Sequence, residues 1–245
     1  MEDSSTTPRE SEPESAVSRD SLSDKIYDRL RFGLMTGVYE PGERLNIRQL
    51  AKSFETSPTP VREAMIQLAR EGALELRTGH LLRVPNMSLE RYLEVRDVRI
   101  PLERLAAERA AKTISESELL EIQYQARRCV DAESREMWKE ALAANQEFHF
   151  AIYKAAHSPV LVRVLENLWL LTGPFINHLY PGASSYRSTQ PHERIVQALK
   201  RHDIVEAGEA VVHDILQGSN AMIERLAQAP AEPSKSIRKR PATTT

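Results

Sequence analysis

The chain has 245 residues, 41% of them hydrophobic, with 33 Lys and Arg against 35 Asp and Glu for a formal net charge of −2. That length allows two modest domains, each with its own core, and the near-neutral balance excludes attraction to nucleic acid through an overall basic field. Its single cysteine, Cys129, excludes an intramolecular disulfide, and no run of 18 apolar residues or signal-peptide pattern is present, so a soluble, cytoplasmic protein is expected.

Residues 1–21 are rich in Ser, Thr, Glu and Pro and nearly lack large apolar groups. Such a segment cannot bury enough surface to offset chain entropy, and a disordered tail is expected. From Leu22 the pattern changes. Ile26, Leu30 and Leu34 recur at four-residue spacing, which predicts an amphipathic helix ending near Gly37. Pro41-Gly42-Glu43-Arg44-Leu45 reads as a turn. Next, Ile47, Leu50, Ala51 and Phe54 share the inner face of a short helix, and Val61, Ala64, Met65 and Leu68 that of a second. Glu55-Thr56-Ser57 joins them into a helix-turn-helix. The second helix opens on Ser57-Pro58-Thr59-Pro60, where proline is tolerated and Ser57 or Thr59 can cap exposed amides. A polar, uncrowded helix start with Arg62 one turn in suits entry into a DNA major groove. Residues 23–87 carry ten Lys or Arg against eight Asp or Glu, a local balance that permits such binding.

After Gly72, Leu74–Arg77 and Leu81–Val84 flank Thr78-Gly79-His80, which predicts a hairpin. A hairpin directly after a helix-turn-helix makes a winged helix over residues 22–86. From Leu89 nearly everything follows a helical pattern, with Pro101 expected to kink the first long helix or mark a junction. Ser115 with Glu118 reads as a capping box for a helix to about Glu133. Further helices are expected over 136–157, 159–179, 191–202 and 204–228. The expected fold is therefore mostly α, a winged helix-turn-helix domain followed by an all-α bundle over 89–228. Residues 229–245, Pro-rich with a basic cluster, read as a second disordered tail.

Residues 23–84 resemble the DNA-binding domain of the GntR family of bacterial regulators. The resemblance rests on the opening helix and on the stretches G-V-Y-E-P-G-E-R-L, S-P-T-P-V-R-E-A-M and L-A-R-E-G-A-L. It implies that the second motif helix reads an operator while the wing tip approaches the minor groove. The implied DNA contacts are Arg48, Ser57, Pro58, Thr59, Pro60, Arg62 and Gly79. Many relatives carry Arg where this chain has Pro58, which removes one possible base contact.

In the helical half, Asn145 and His149 are four apart and share one helix face. His192 begins a later helix, and His213 lies on an apolar Val211-Val212/Ile215-Leu216 stretch. Three histidines and an oxygen donor on separate helices can form a divalent metal site, or each can be an ordinary core or surface group. Spacing alone leaves both open. This half is similar to the FCD effector domain of the FadR/VanR branch. The matching residues are Arg99-Ile100-Pro101-Leu102-Glu103, Asn145-x-x-x-His149, Ser158-Pro159-Val160-Leu161, His192-Glu193-Arg194-Ile195 and His213. The resemblance implies a divalent ion (Zn, Ni or Mn) on Asn145, His149, His192 and His213. It makes Arg99 the group that fixes a small carboxylate effector, and Glu103 its ion-pair partner. Asn145 replaces the Asp of many relatives, so three imidazoles and an amide would leave the ion's charge uncompensated, favouring an anionic ligand.

The function expected is a homodimeric regulator, most simply a repressor, that binds palindromic double-stranded DNA and releases it when the acid binds. The alternatives are a regulator whose effector is the metal itself and a metal-dependent hydrolase. The hydrolase lacks a placed general base, because Glu147 points off the ligand face.

Overall fold

The computed structural model describes residues 22–77, 81–176 and 189–228. Both expected tails, the wing-tip residues Gly79 and His80, and His178 lie outside them. The order is α1 (Leu22–Met35), β1 (Arg44–Leu45), α2 (Ile47–Ser53), α3 (Pro58–Arg70), β2 (Glu75–Arg77), β3 (Leu81–Arg83), α4 (Leu89–Thr113), α5 (Glu116–Ser134), α6 (Trp138–Ala155), α7 (Pro159–Ile176), α8 (Thr189–Lys200) and α9 (Ile204–Gln228). The fold is thus mostly helical, a winged helix-turn-helix followed by a helical bundle.

Helix α1 buries Ile26, Leu30 and Leu34, as its spacing requires. It stops where Gly37 takes a positive φ of 67° and Val38 N–H donates back to the Gly33 carbonyl at 2.8 Å. The Asn46 side chain caps α2, accepting from the Arg48 and Gln49 amides at 2.9 and 3.2 Å. Ser57 occupies the corresponding position before α3 yet makes no side-chain cap bond. A capping oxygen seeks the second or third helical amide; Pro60, the third residue of α3, has none, which leaves Thr59 N–H as the one amide such a cap could use.

Arg44–Leu45, expected as a turn, is a short strand. It pairs antiparallel with β3, giving a three-stranded sheet in the order β1-β3-β2, with Leu82 opposite both Leu45 and Leu76. In the helical half, α4 packs along α9 and α5 along α6. Ala106, Ala107, Ala110 and Ala111 of α4 and Ala207, Ala210 and Val211 of α9 are fully buried, and their small side chains let the helices approach closely. Helix α4 runs unbroken through Pro101, which is exposed. The expected capping box is formed at α5: Glu118 N–H donates to Ser115 Oγ at 3.3 Å and Ser115 N–H to Glu118 Oε2 at 2.9 Å.

The two halves meet where the end of α1 rests on α7. Arg31 pairs with Glu166 at 2.6 Å, and a Cβ on Gly173 would fall 2.5 Å from the Leu34 carbonyl oxygen and from Met35 Cα. Only glycine fits there. Among the described residues, no helix is long and apolar enough to cross a membrane.

Candidate functional site

Two regions carry candidate functional residues. In the winged helix, α3 buries Val61, Ala64, Met65 and Leu68 and thereby turns Pro58, Thr59, Arg62, Ile66 and Arg70 outward. Ser57, just before α3, and Arg48, on α2, are also exposed, and Pro60 is half-buried. Five of the seven residues expected to meet DNA thus lie at the start of α3 and Arg48 is exposed on α2, while Gly79 lies outside the described residues.

The second region is a cavity of about 50 Å³ inside the helical half, lined by Tyr92, Arg99, Asn145, His149, Thr172 and Asp214 among others. Helix α6 presents Asn145 and His149 inward, 6% and 3% exposed; α8 presents His192 at 1%. Ligand atoms of His149, His192 and Asp214 lie within 4.8 Å of one another. His149 Nε2 is 3.2 Å from Asp214 Oδ2, and His192 Nε2 is 3.9 Å from Asp214 Oδ1. Aromatic neighbours hold the rings: Phe148 stacks on His192 at 4.0 Å, and Trp169 lies tilted against His149 at 5.4 Å.

His213 is not part of this cluster. It is exposed, and the next residue, Asp214, is 3% exposed and takes the inward position. The correction follows from helix phase. The inner face of α9 runs through Ala207, Ala210, Val211, Asp214, Ile215 and Ser219, spaced by three and four, and His213 lies about 100° away from Asp214. The apolar residues Ala207, Val211 and Ile215 carry that phase in the sequence itself, and it puts Asp214 rather than His213 inside. An ion held here would not be left with its charge uncompensated, because Asp214 would supply the carboxylate that Asn145 does not.

Several buried polar atoms here have no hydrogen-bond partner: Asn145 Oδ1, His149 Nδ1, and both ring nitrogens of His192. Such orphans are costly in a protein interior. Burial, first of all, pushes the His192 pKa down to about 3, with Asp214 opposing and His149 reinforcing the shift. A neutral ring at 3.9 Å from a carboxylate is no ion pair. Neutral imidazoles, a carboxylate and an amide oxygen are the donors a divalent first-row ion takes. Bonds of about 2.0–2.1 Å place neighbouring ligand atoms roughly 3–3.5 Å apart, near the spacing found. The residues fit such an ion.

Arg99 lines the cavity from α4. Its Nε donates to Glu103 Oε1 at 2.7 Å, its Nη1 to Thr172 Oγ1 at 3.3 Å, and its guanidinium lies 4.7 Å from the Trp169 ring centre. Burial opposes the Arg99 charge, but Glu103 and Tyr153 more than offset it, and the pKa stays above the ordinary arginine value. Glu103 is fully buried and also accepts from the Tyr153 hydroxyl, which in turn accepts from Trp169 Nε1 at 3.2 Å. Burial, then Glu103, raises the Tyr153 pKa well above its usual value, so it remains a donor. Glu103 is therefore the ion-pair partner expected, and Glu147 sits apart, paired with Arg128. His157 and His202 take positive φ values of 49° and 53° just after α6 and α8, which are local cap positions.

Residues 22–84 match the family described as bacterial regulatory proteins, gntR family, and residues 94–217 match the FCD domain. The chain belongs to the GntR family of regulators, in the group whose second domain is FCD, and is a transcriptional regulator, not an enzyme. The regulator McbR of Escherichia coli is 28% identical over 186 residues, covering 75% of this chain and 84% of that protein. The solved structure of E. coli McbR/YncC superposes with a TM-score of 0.79 at 25% identity, over 84% of this chain and 98% of that one. The E. coli transcriptional repressor RspR is 25% identical over 217 residues, 87% of this chain and 92% of that protein.

Proposed function

We propose that the protein is a repressor that binds a palindromic operator as a cytoplasmic homodimer and lets go when a small organic acid binds at a metal ion in the helical domain. The observation that carries this reading is the buried cluster of His149, His192 and Asp214, with Asn145 Oδ1, His149 Nδ1 and both His192 ring nitrogens unpartnered, beside a cavity that Asn145, His149, Asp214 and Arg99 line. His149, His192 and Asp214 would hold the ion with Asn145 as a fourth donor; Zn, Ni and Mn all accept that set. When bound, the ion supplies a positive charge for a carboxylate to meet.

The cavity's own charges explain why that matters. Glu103 already neutralises Arg99, and Asp214 leaves the pocket negative, so a carboxylate is repelled until a dication is present. Arg99 then orients the acid with its remaining N–H groups while Glu103 and Trp169 hold its plane. Arg48, Ser57, Thr59 and Arg62 would contact DNA, with Pro58 and Pro60 setting the helix entry and Gly79 at the wing. The two-fold symmetry of a dimer places two reading helices about 34 Å apart on one face of DNA. The repressor direction draws on RspR, whose name states it.

The small cavity of about 50 Å³ favours a second reading, in which the ion itself is the effector. One assay separates the two. Metal-free protein is bound to DNA fragments selected for affinity, then titrated with Mn²⁺ alone and with Mn²⁺ plus two- to four-carbon acids. Release by an acid only in the presence of the ion supports the first reading, and release by the ion alone supports the second. Indifference to every combination overturns both.

A further inference from the structure

Three consecutive residues of α7 face the two halves of the molecule in turn, and a proline follows them. Leu171 reaches toward the winged helix, its Cδ2 lying 3.6 Å from where a Cβ on Gly72 would be. Thr172, 1% exposed, turns toward the cavity, where Oγ1 accepts from Arg99 Nη1 at 3.3 Å and donates to the Leu168 carbonyl at 3.2 Å. Gly173 presses on the backbone of Leu34 and Met35, with no room for a side chain between. Pro174 follows inside the same helix and has no N–H for the Leu170 carbonyl. Glycine and proline in succession weaken a helix, and a threonine bonded to its own i−4 carbonyl favours bending. The helix is most deformable where it touches both partners.

We propose that Leu171–Pro174 carries the signal from the cavity to the DNA-binding domain, with Thr172 following Arg99 and Gly173 displacing α1. This rests on reading the cavity as the effector site. An ion among His149, His192 and Asp214 places positive charge in the cavity that Arg99 lines, and a carboxylate there attracts the guanidinium. Either event alters the hold of Arg99 on Thr172. Contact at Gly173 is backbone on backbone, so a shift passes to α1 without being absorbed by a side-chain rotation. Helix α1 meets the helical domain chiefly at α7, and elsewhere a cavity of about 600 Å³ lies between it and α5 and α6, leaving room to move. The other end of the relay is α3: Tyr27 of α1 donates to Glu71 at 2.8 Å, and Ser23 Oγ to the Pro60 carbonyl at 3.3 Å. A displaced α1 thus takes the DNA-reading helix with it.

The test is amide hydrogen exchange on the full chain, metal-free, with Mn²⁺ alone and with Mn²⁺ plus acetate, while calorimetry follows ion uptake. In wild type, adding the ion or the ion with acetate should change exchange in α7 and in the last turn of α1. Thr172→Val should take up Mn²⁺ as wild type does yet lose most of the α1 response, and Thr172→Ser, which keeps the hydroxyl, should restore it. Thr172→Ala gives the same reading should valine pack poorly. Ion uptake with an unmoved α1 in wild type, or an undiminished α1 response in both hydroxyl-free variants, overturns the relay alone. Absence of ion uptake by wild type overturns the reading of the cavity, and the relay with it.

Discussion

Asp214 and its neighbour His213 show how far single residues can be read. Histidine is the commonest ligand by chemistry, but position on a helix decides what a side chain can reach. His213 is exposed while Asp214 sits beside His149 at 3.2 Å. Asp214→Ala is therefore expected to lower affinity for the ion by at least about 10–100-fold, the range lost when even an outer partner of a ligand is removed. His213→Ala should leave metal content unchanged. Elemental analysis of protein stripped and reloaded under identical conditions checks both, and metal loss in His213→Ala with retention in Asp214→Ala would reverse the assignment. At the other end of the chain, Arg48 and Arg62 are exposed. Replacing either with Ala should cost about 1–3 kcal/mol in operator binding and leave folding intact. Gel-shift titration beside a melting curve separates the two effects, and unchanged affinity in both would move the reading surface elsewhere.

At the scale of elements, the helices were legible because each buries an apolar stripe at regular spacing, from Ile26, Leu30 and Leu34 in α1 to Ile195, Val196 and Leu199 in α8. What escaped reading depended on partners distant in sequence. Arg44–Leu45 becomes a strand through pairing with β3, far along the chain. Ser57 forms no cap, and Pro60 removes one of the two amides it could have used, whereas the α5 box forms because Ser115 and Glu118 need only each other. Ser115→Ala should thus destabilise the fold by about 1 kcal/mol, measured by urea unfolding at neutral pH. The Ser115 amide, then its hydroxyl, holds the Glu118 carboxyl below its ordinary pKa. A carboxyl whose folded pKa is depressed contributes stability above the unfolded value and loses it as pH falls through the folded one. The difference between wild type and Ser115→Ala should accordingly shrink on acidification through the carboxylate range, and a difference that grows would show that the box acts otherwise.

For the whole molecule, an ion that binds only the folded chain stabilises it by mass action, about 2.7 kcal/mol at a hundredfold excess over its dissociation constant. In a chain of 245 residues, roughly 2–4 °C of melting temperature accompanies each kcal/mol, so chelation should lower the transition by roughly 5–11 °C. The ion would sit in the helical domain, yet the seam at Gly173 and the pair of Arg31 with Glu166 tie the winged helix to it. One cooperative transition should therefore move as a whole in wild type. Gly173→Ala introduces a Cβ into a space 2.5 Å from two backbone atoms of α1 and must push the domains apart. In that variant calorimetry should resolve two transitions, of which chelation lowers only the helical domain's. Asp214→Ala should melt as one and shift less with the chelator than wild type does. Two chelator-sensitive transitions in wild type, or a single unshifted one in Gly173→Ala, would mean that the halves are joined by something other than the contact of α1 with α7.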